Sequence, residues 1–192
     1  MKVYVVEENG SGIISAKHIS ELDNCLQYSG SSIRITGKKG IRMITSVPEA
    51  IRESLKNGEL QGYTLEEYGT LLAWNKELGS SALTLDNPIV KSNYAYKKGV
   101  ADPVFKRTDS LIQYTNVLTF DDIAKCVDDL AMRPYMKLSK GGETITIYGG
   151  IVVRNIGYIA WQNRDAFAKG TEAYNYIWSI INYVDPAGYK AA

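Results

Sequence analysis

Residues 143–162, ETITIYGGIVVRNIGYIAWQ, decide the fold class. Ile145 and Ile147 alternate with Thr144, Thr146 and Tyr148, the period of a strand with two unlike faces. Gly149-Gly150 offers a two-residue turn tolerant of positive φ. The stretch predicts a hairpin whose return strand covers residues 151–161, with a bulge or bend at Asn155-Ile156-Gly157. Past Asn163 the period changes to that of a helix, over residues 171–184 with Thr171 as N-cap. Tyr174, Ile177, Trp178, Ile181 and Val184 share one face, and Tyr176, Ile180 and Tyr183 form a second apolar row. The helix must stop at Asp185-Pro186.

Working outward, residues 31–45, SSIRITGKKGIRMIT, read as a second hairpin. Residues 2–7 predict a first strand, followed by a turn at residues 9–12 and a short strand at Ile13-Ile14. Four further helices are expected. Ser20 with Asp23 opens one to Tyr28, and Ser46-Val47-Pro48-Glu49 opens one that ends at Gly58. Thr64 with Glu67 opens a third, carrying Leu65, Tyr68, Leu72 and Leu78 on one side, to residue 78. Thr119 with Asp122 opens the fourth, closed before Pro134. A strand is expected over residues 111–118.

These elements describe an α+β fold: antiparallel hairpin sheets covered by helices. Strand, helix, hairpin and helix follow one another twice. Two tandem related halves, 1–85 and 111–192, joined by a connector excursion at 86–110, are therefore expected, with one compact domain as the alternative.

The chain of 192 residues is 45% hydrophobic, enough for a sizeable core. Its 22 basic and 21 acidic side chains leave a net charge of +1, which argues against a globally driven attraction to nucleic acid or anionic membrane. No apolar run approaches the roughly 18 residues of a membrane span, and the start MKVYVVEENG is not a signal sequence, so a cytoplasmic protein is expected. Cys25 and Cys126 have no ligand partner at CxxC spacing and read as reduced, buried residues on helices. Tyrosine is over-used, 14 against 3 Phe, which suits half-wet surfaces and interfaces.

Catalytic patterns are weak. His18 is the single histidine and has no nucleophile elbow to serve. The acidic pairs Glu7/Glu8, Glu66/Glu67, Asp121/Asp122 and Asp128/Asp129 are adjacent in sequence and do not face each other on a helix. Gly10-Ser11-Gly12 lacks any phosphate-loop continuation, and no cofactor or metal is expected.

The best local signal is basic. Hairpin 31–45 holds Arg34, Lys38, Lys39 and Arg42 with no acid. The connector holds Tyr94, Tyr96, Lys97, Lys98, Phe105, Lys106 and Arg107. Cations for phosphates with rings for bases are what single-strand binding uses; a charged tip that blocks sheet aggregation is the competing reading. Separately, the helix at 171–184 has more apolar surface than one sheet covers, which places Tyr176, Ile180 and Tyr183 at a subunit interface.

The leading functional expectation is a non-catalytic structural or assembly subunit that partners itself or other assembly proteins, with a virus or phage particle as one setting and the virion as its location there. A nucleic-acid-binding module using hairpin 31–45 and residues 91–107 is the first alternative. A hydrolase built from scattered carboxylates is the second.

Overall fold

The computed structural model describes residues 1–8, 14–100, 104–108 and 110–184. The turn read at residues 9–12 and the Asp185-Pro186 helix end lie outside them. The fold is α+β, with three antiparallel sheets. Strands β1 (Tyr4–Glu8) and β2 (Ile14–His18) form a two-stranded ribbon. Strands β3 (Gln27–Arg34) and β4 (Gly40–Pro48) form the expected hairpin at 31–45. Helix α1 (Glu49–Lys56) follows, close to expectation, and its chain leaves through Gly58 at φ 72°. No side chain caps its start, so the expected capping box is not used. Next come β5 (Thr64–Trp74), α2 (Asn75–Leu78), β6 (Lys91–Lys97), β7 (Lys106–Arg107) and β8 (Leu111–Thr119). The chain continues through β9 (Asp129–Lys140), β10 (Glu143–Tyr148), β11 (Val152–Asn155), α3 (Ile156–Gln162) and α4 (Glu172–Val184).

Two larger sheets face each other. One runs β10-β9-β5-β6, with β11 also on β9; the other runs β3-β4-β8-β7. Between them lies a core of Val47, Leu65, Tyr68, Tyr96, Ile112, Tyr114, Met136 and Leu138. A second core, around Ile41, Met43, Leu72, Leu118 and Met132, is closed by α3 and α4 through Ile156, Ile159, Ile177, Ile180 and Ile181. The two meet at a buried polar layer. Thr70 donates to Asn116 Oδ1 (2.8 Å), Asn116 donates to the Asn93 carbonyl (2.7 Å), and Tyr114 donates to the Gly69 carbonyl (3.1 Å). Satisfied in this way, polar side chains can sit between sheets, because the hydrogen bonds offset the cost of their desolvation. They also fix the offset of one sheet on the other.

Several expectations are corrected. Residues 64–74 are a strand, not a helix. Tyr68, Thr70, Leu72 and Trp74 point inward, and Leu71 and Ala73 pack on the outer side. A strand buried on both faces reads as a continuous apolar run, and Leu65, Tyr68 and Leu72 happened to mimic a helical stripe. Gly69 sits where a Cβ would come within 2.1 Å of the Asn93 carbonyl oxygen, so close pairing with β6 requires glycine. The helix read from Ser20 shrinks to one 3-10 turn, Ser20–Leu22, and that from Thr119 to Ile123–Val127, capped by Asp122 accepting from Ala124 N (2.8 Å). Cys25 therefore lies on no helix, although both cysteines are free and buried.

The 143–162 hairpin is also revised. The two-residue turn is Gly141-Gly142, at φ 62° and 87°, which joins β9 to β10. β10 and β11 then pair with successive stretches of β9, so they are one edge strand broken at Gly149-Gly150. The break falls opposite Pro134, which has no N–H to offer; Gly149 N instead donates to the Pro134 carbonyl (2.8 Å). Residues 156–162 turn into α3, capped by Asn155 accepting from Tyr158 N (3.0 Å).

With a strand at residues 64–74, the helix expected to close the first repeat is replaced by β5. Both large sheets take strands from residues 1–85 and from 111–192, and residues 86–110 supply β6 and β7.

Candidate functional site

The outer face of the four-stranded sheet carries three of the eight expected cations, Arg34, Arg42 and Lys106. Arg42 stands opposite Ser32 on β3 and Val117 on β8; Gln113 on β8 stands opposite Lys106 on β7. Since side chains alternate along each strand, Arg34, Ser32, Arg42, Ile44, Thr115, Val117 and Lys106 share this face. Ile33, Ile41, Met43 and Leu118 go to the core. Those on the face are half-buried or exposed, as when only neighbours in the sheet screen them. Arg42 reaches past β8 and lies 5.3 Å from the centre of the exposed Phe105 ring. Among the described residues, no carboxylate lies within ion-pair distance of Arg34, Lys38, Arg42 or Lys106. Arg34 is tied locally, its Nε donating to the Thr36 carbonyl (3.0 Å). Lys38 lies exposed at the hairpin tip.

The remaining expected residues are placed elsewhere. Lys39 pairs with Glu172 (3.2 Å) and lies over the Tyr176 ring (4.4 Å), pinning the hairpin tip to α4. Arg107 pairs with Glu49, and Lys98 with Glu66 (2.8 Å). Tyr96 is core, stacked on Tyr68 at 5.2 Å. Tyr94 and Lys97 are exposed on β6, in the other sheet. Of the three interface candidates, Ile180 is wholly buried inside this chain and Tyr176 packs against the same core. Only Tyr183 is exposed. A row split in this way cannot meet a second subunit as a unit, because the chain's own second core already covers Ile180.

Of the acidic pairs, Glu66/Glu67 is held in a local network. Glu66 accepts from Lys98 (2.8 Å) and Ser139 (2.6 Å), bonds that hold its carboxyl below the usual range. Glu67 accepts from Tyr135 (2.6 Å) and pairs with Lys137 (3.3 Å). Burial pushes the Tyr135 hydroxyl well above its ordinary value, and the bond to Glu67 adds to this. His18 pairs with Asp23 (2.7 Å) and stacks on Tyr4. Burial pushes the thiols of Cys25 and Cys126 up to about 12, which makes both poor nucleophiles. Among the described residues, no three His, Cys, Asp or Glu side chains gather as a metal site, and no helix is long and apolar enough to cross a membrane.

Sequence reasoning missed the buried arginine. Arg52 sits inside α1, donates from Nε to the Tyr68 hydroxyl (3.1 Å), pairs with Glu53 and lies 5.8 Å from the Tyr68 and Tyr96 ring centres. Its signal was the tyrosine excess. Tyr63, Tyr68, Tyr96, Tyr114 and Tyr135 are all core residues, and the hydroxyls of Tyr68, Tyr114 and Tyr135 meet Arg52, Gly69 and Glu67. Comparison with protein-family models, with curated proteins and with solved structures returned no match.

Proposed function

We propose that this protein is a non-catalytic binding module that takes a single-stranded polyanion, most simply single-stranded nucleic acid, across the outer face of its four-stranded sheet. The observation that supports it most is that Arg34, Arg42 and Lys106 share one face of the sheet, with Phe105 beside Arg42 and, among the described residues, no carboxylate within ion-pair distance of the three. Hairpin and connector are far apart in sequence, and the β4-β8-β7 pairing joins them. Cations aimed outward attract phosphates and release counterions, and an exposed ring offers a stacking surface to any base. Arginine over that ring holds its plane and leaves guanidinium donors for phosphate oxygens.

The test is fluorescence anisotropy with a labelled oligothymidylate over graded salt. With about three or four phosphates neutralised, the log–log salt slope should be roughly −2 to −3. Replacing Arg34, Lys38, Arg42 and Lys106 together by Ser should remove the salt-sensitive binding, and Phe105→Ala should weaken it by about 1–3 kcal/mol. Absence of any binding by the wild type at low salt overturns this reading.

The assembly reading is supported by a different feature. Ile151, Val153 and Tyr158 are exposed apolar side chains around the β11 edge strand, a composition suited to protein contacts. Its test is light scattering at rising concentration, and a mass of one chain throughout counts against it.

A further inference from the structure

A groove of about 380 Å³ separates residues 1–4 from the outer edge of β10. Four consecutive residues of β10, Ile145 to Tyr148, line one wall, and Arg133 lies beside them. Consecutive lining residues mean that both side-chain rows and the backbone edge border the groove. β10 is the terminal strand of its sheet and pairs with β9 alone, while β1 belongs to the separate ribbon with β2. Residues 1–4 and the edge of β10 thus face each other across the groove. At strand spacings of about 4.8 by 3.3 Å and a thickness near 10 Å, each extended residue occupies roughly 160 Å³. The groove therefore seats two or three such residues.

Its charge is one-sided. Arg133 is fixed in place: Nε donates to the Gly149 carbonyl (3.0 Å), Nη1 to the Leu83 carbonyl (3.3 Å), and the guanidinium lies 4.5 Å from the Tyr148 ring centre. Those bonds use two of its five N–H donors. Lys2 lines the same groove and is exposed. No acidic side chain lines it, and among the described residues neither cation lies within ion-pair distance of a carboxylate.

We propose that this groove accepts an extended acidic segment of a partner protein as an added strand on β10, with a carboxylate of the segment on Arg133 and Lys2. An unpaired strand edge offers alternating backbone donors and acceptors, which another extended chain matches and a compact anion does not. The preset guanidinium then selects acidic over neutral or basic segments. The nucleic-acid reading plays no part in this proposal, which concerns the other sheet.

The probe is a capped six-residue peptide alternating valine and glutamate, titrated into the full chain by calorimetry and by amide chemical shifts. Saturable binding is expected, with shifts centred on residues 145–148 and 2–4. The lysine-for-glutamate peptide and a backbone N-methylated peptide should not bind. Arg133→Met should weaken binding roughly tenfold or more, as for loss of a charge-assisted bond, and Lys2→Ser by a smaller factor. Arg133 also braces two carbonyls, so each variant is first melted. If Arg133→Met is unfolded, Lys2→Ser decides: weaker binding supports the proposal and unchanged binding overturns it. The proposal also falls if no saturable binding occurs, if glutarate binds as tightly as the peptide, or if a folded Arg133→Met binds as the wild type does.

Discussion

On the outer face of the five-stranded sheet, Leu71, Ala73, Ala131 and Tyr135 lie buried under Leu78 and Leu83. On the outer face of the four-stranded sheet, Ser32, Arg34, Arg42 and Thr115 stand half-exposed beside Ile44 and Val117. Both sheets contribute the same kind of inner row. The difference lies in what alternates with it. Where the outward residues are apolar, the chain spends residues 78–90 on covering them: Tyr148 accepts from Leu85 N (3.2 Å), and Arg133 donates to the Leu83 carbonyl. Where the outward residues are cationic or hydroxylic, no such cover is required, and those side chains stay half-exposed.

The inner layer is the reference for both faces, and the largest effect is expected there. Ile180 is fully buried among Ile177, Ile181 and the strand residues of the second core. Ile180→Lys should cost more than about 4 kcal/mol, because it buries an unpaired charge, and the protein should fail to fold. Circular dichroism and a melting curve check this. A folded variant with a smaller assembly mass would restore Ile180 to a subunit contact and would mean that α4 is not closed by its own chain.

Next comes the covered face. Leu71→Ala removes a fully buried side chain from beneath the 78–90 segment and should cost about 2–5 kcal/mol, read from urea unfolding. A cost below about 1 kcal/mol would mean that the cover collapses onto the smaller residue and carries little of the sheet's stability.

That face also explains what could be read from the sequence and what could not. Strands with one wet side, such as β8 with Ile112, Tyr114 and Leu118 inward and Gln113 and Thr115 outward, keep a period of two that Asn116 inward and Val117 outward interrupt but do not erase, and residues 111–118 are legible. The hairpin at 31–45 was legible for the same reason. β5 and β9 are covered on both sides, so their patterns lose alternation, and residues 64–78 imitated a helix. In sequence Pro134 has the form of a helix terminator, yet it marks the gap between β10 and β11, a role that only the pairing partner reveals. The cations of the open face were legible one by one. Their meeting with Phe105 was not, because it depends on β8 lying between β4 and β7. The Arg133 groove gave no local signal: its walls lie more than a hundred residues apart in sequence.

The smallest effect sharpens the contrast most. Ile44 lies on the open face, two residues from Arg42, and stands opposite Gly30 on β3 and Thr115 on β8. With glycine on one side there is little cross-strand packing to lose. It is half-buried, unlike its neighbours Met43 and Thr45, which point inward and are almost wholly covered. Ile44→Thr keeps the β-branch and the strand preference, and threonine's hydroxyl can meet water on an open face. The change should therefore alter stability by no more than about 0.5 kcal/mol, against several for Leu71→Ala on the other sheet. Parallel urea titrations of the two variants supply the measurement. If Ile44→Thr costs as much as Leu71→Ala, this face is covered in solution, and the cover must lie outside the described residues or on a second chain. Repeating the titration at rising protein concentration separates those two cases, because only a second chain makes the cost depend on concentration.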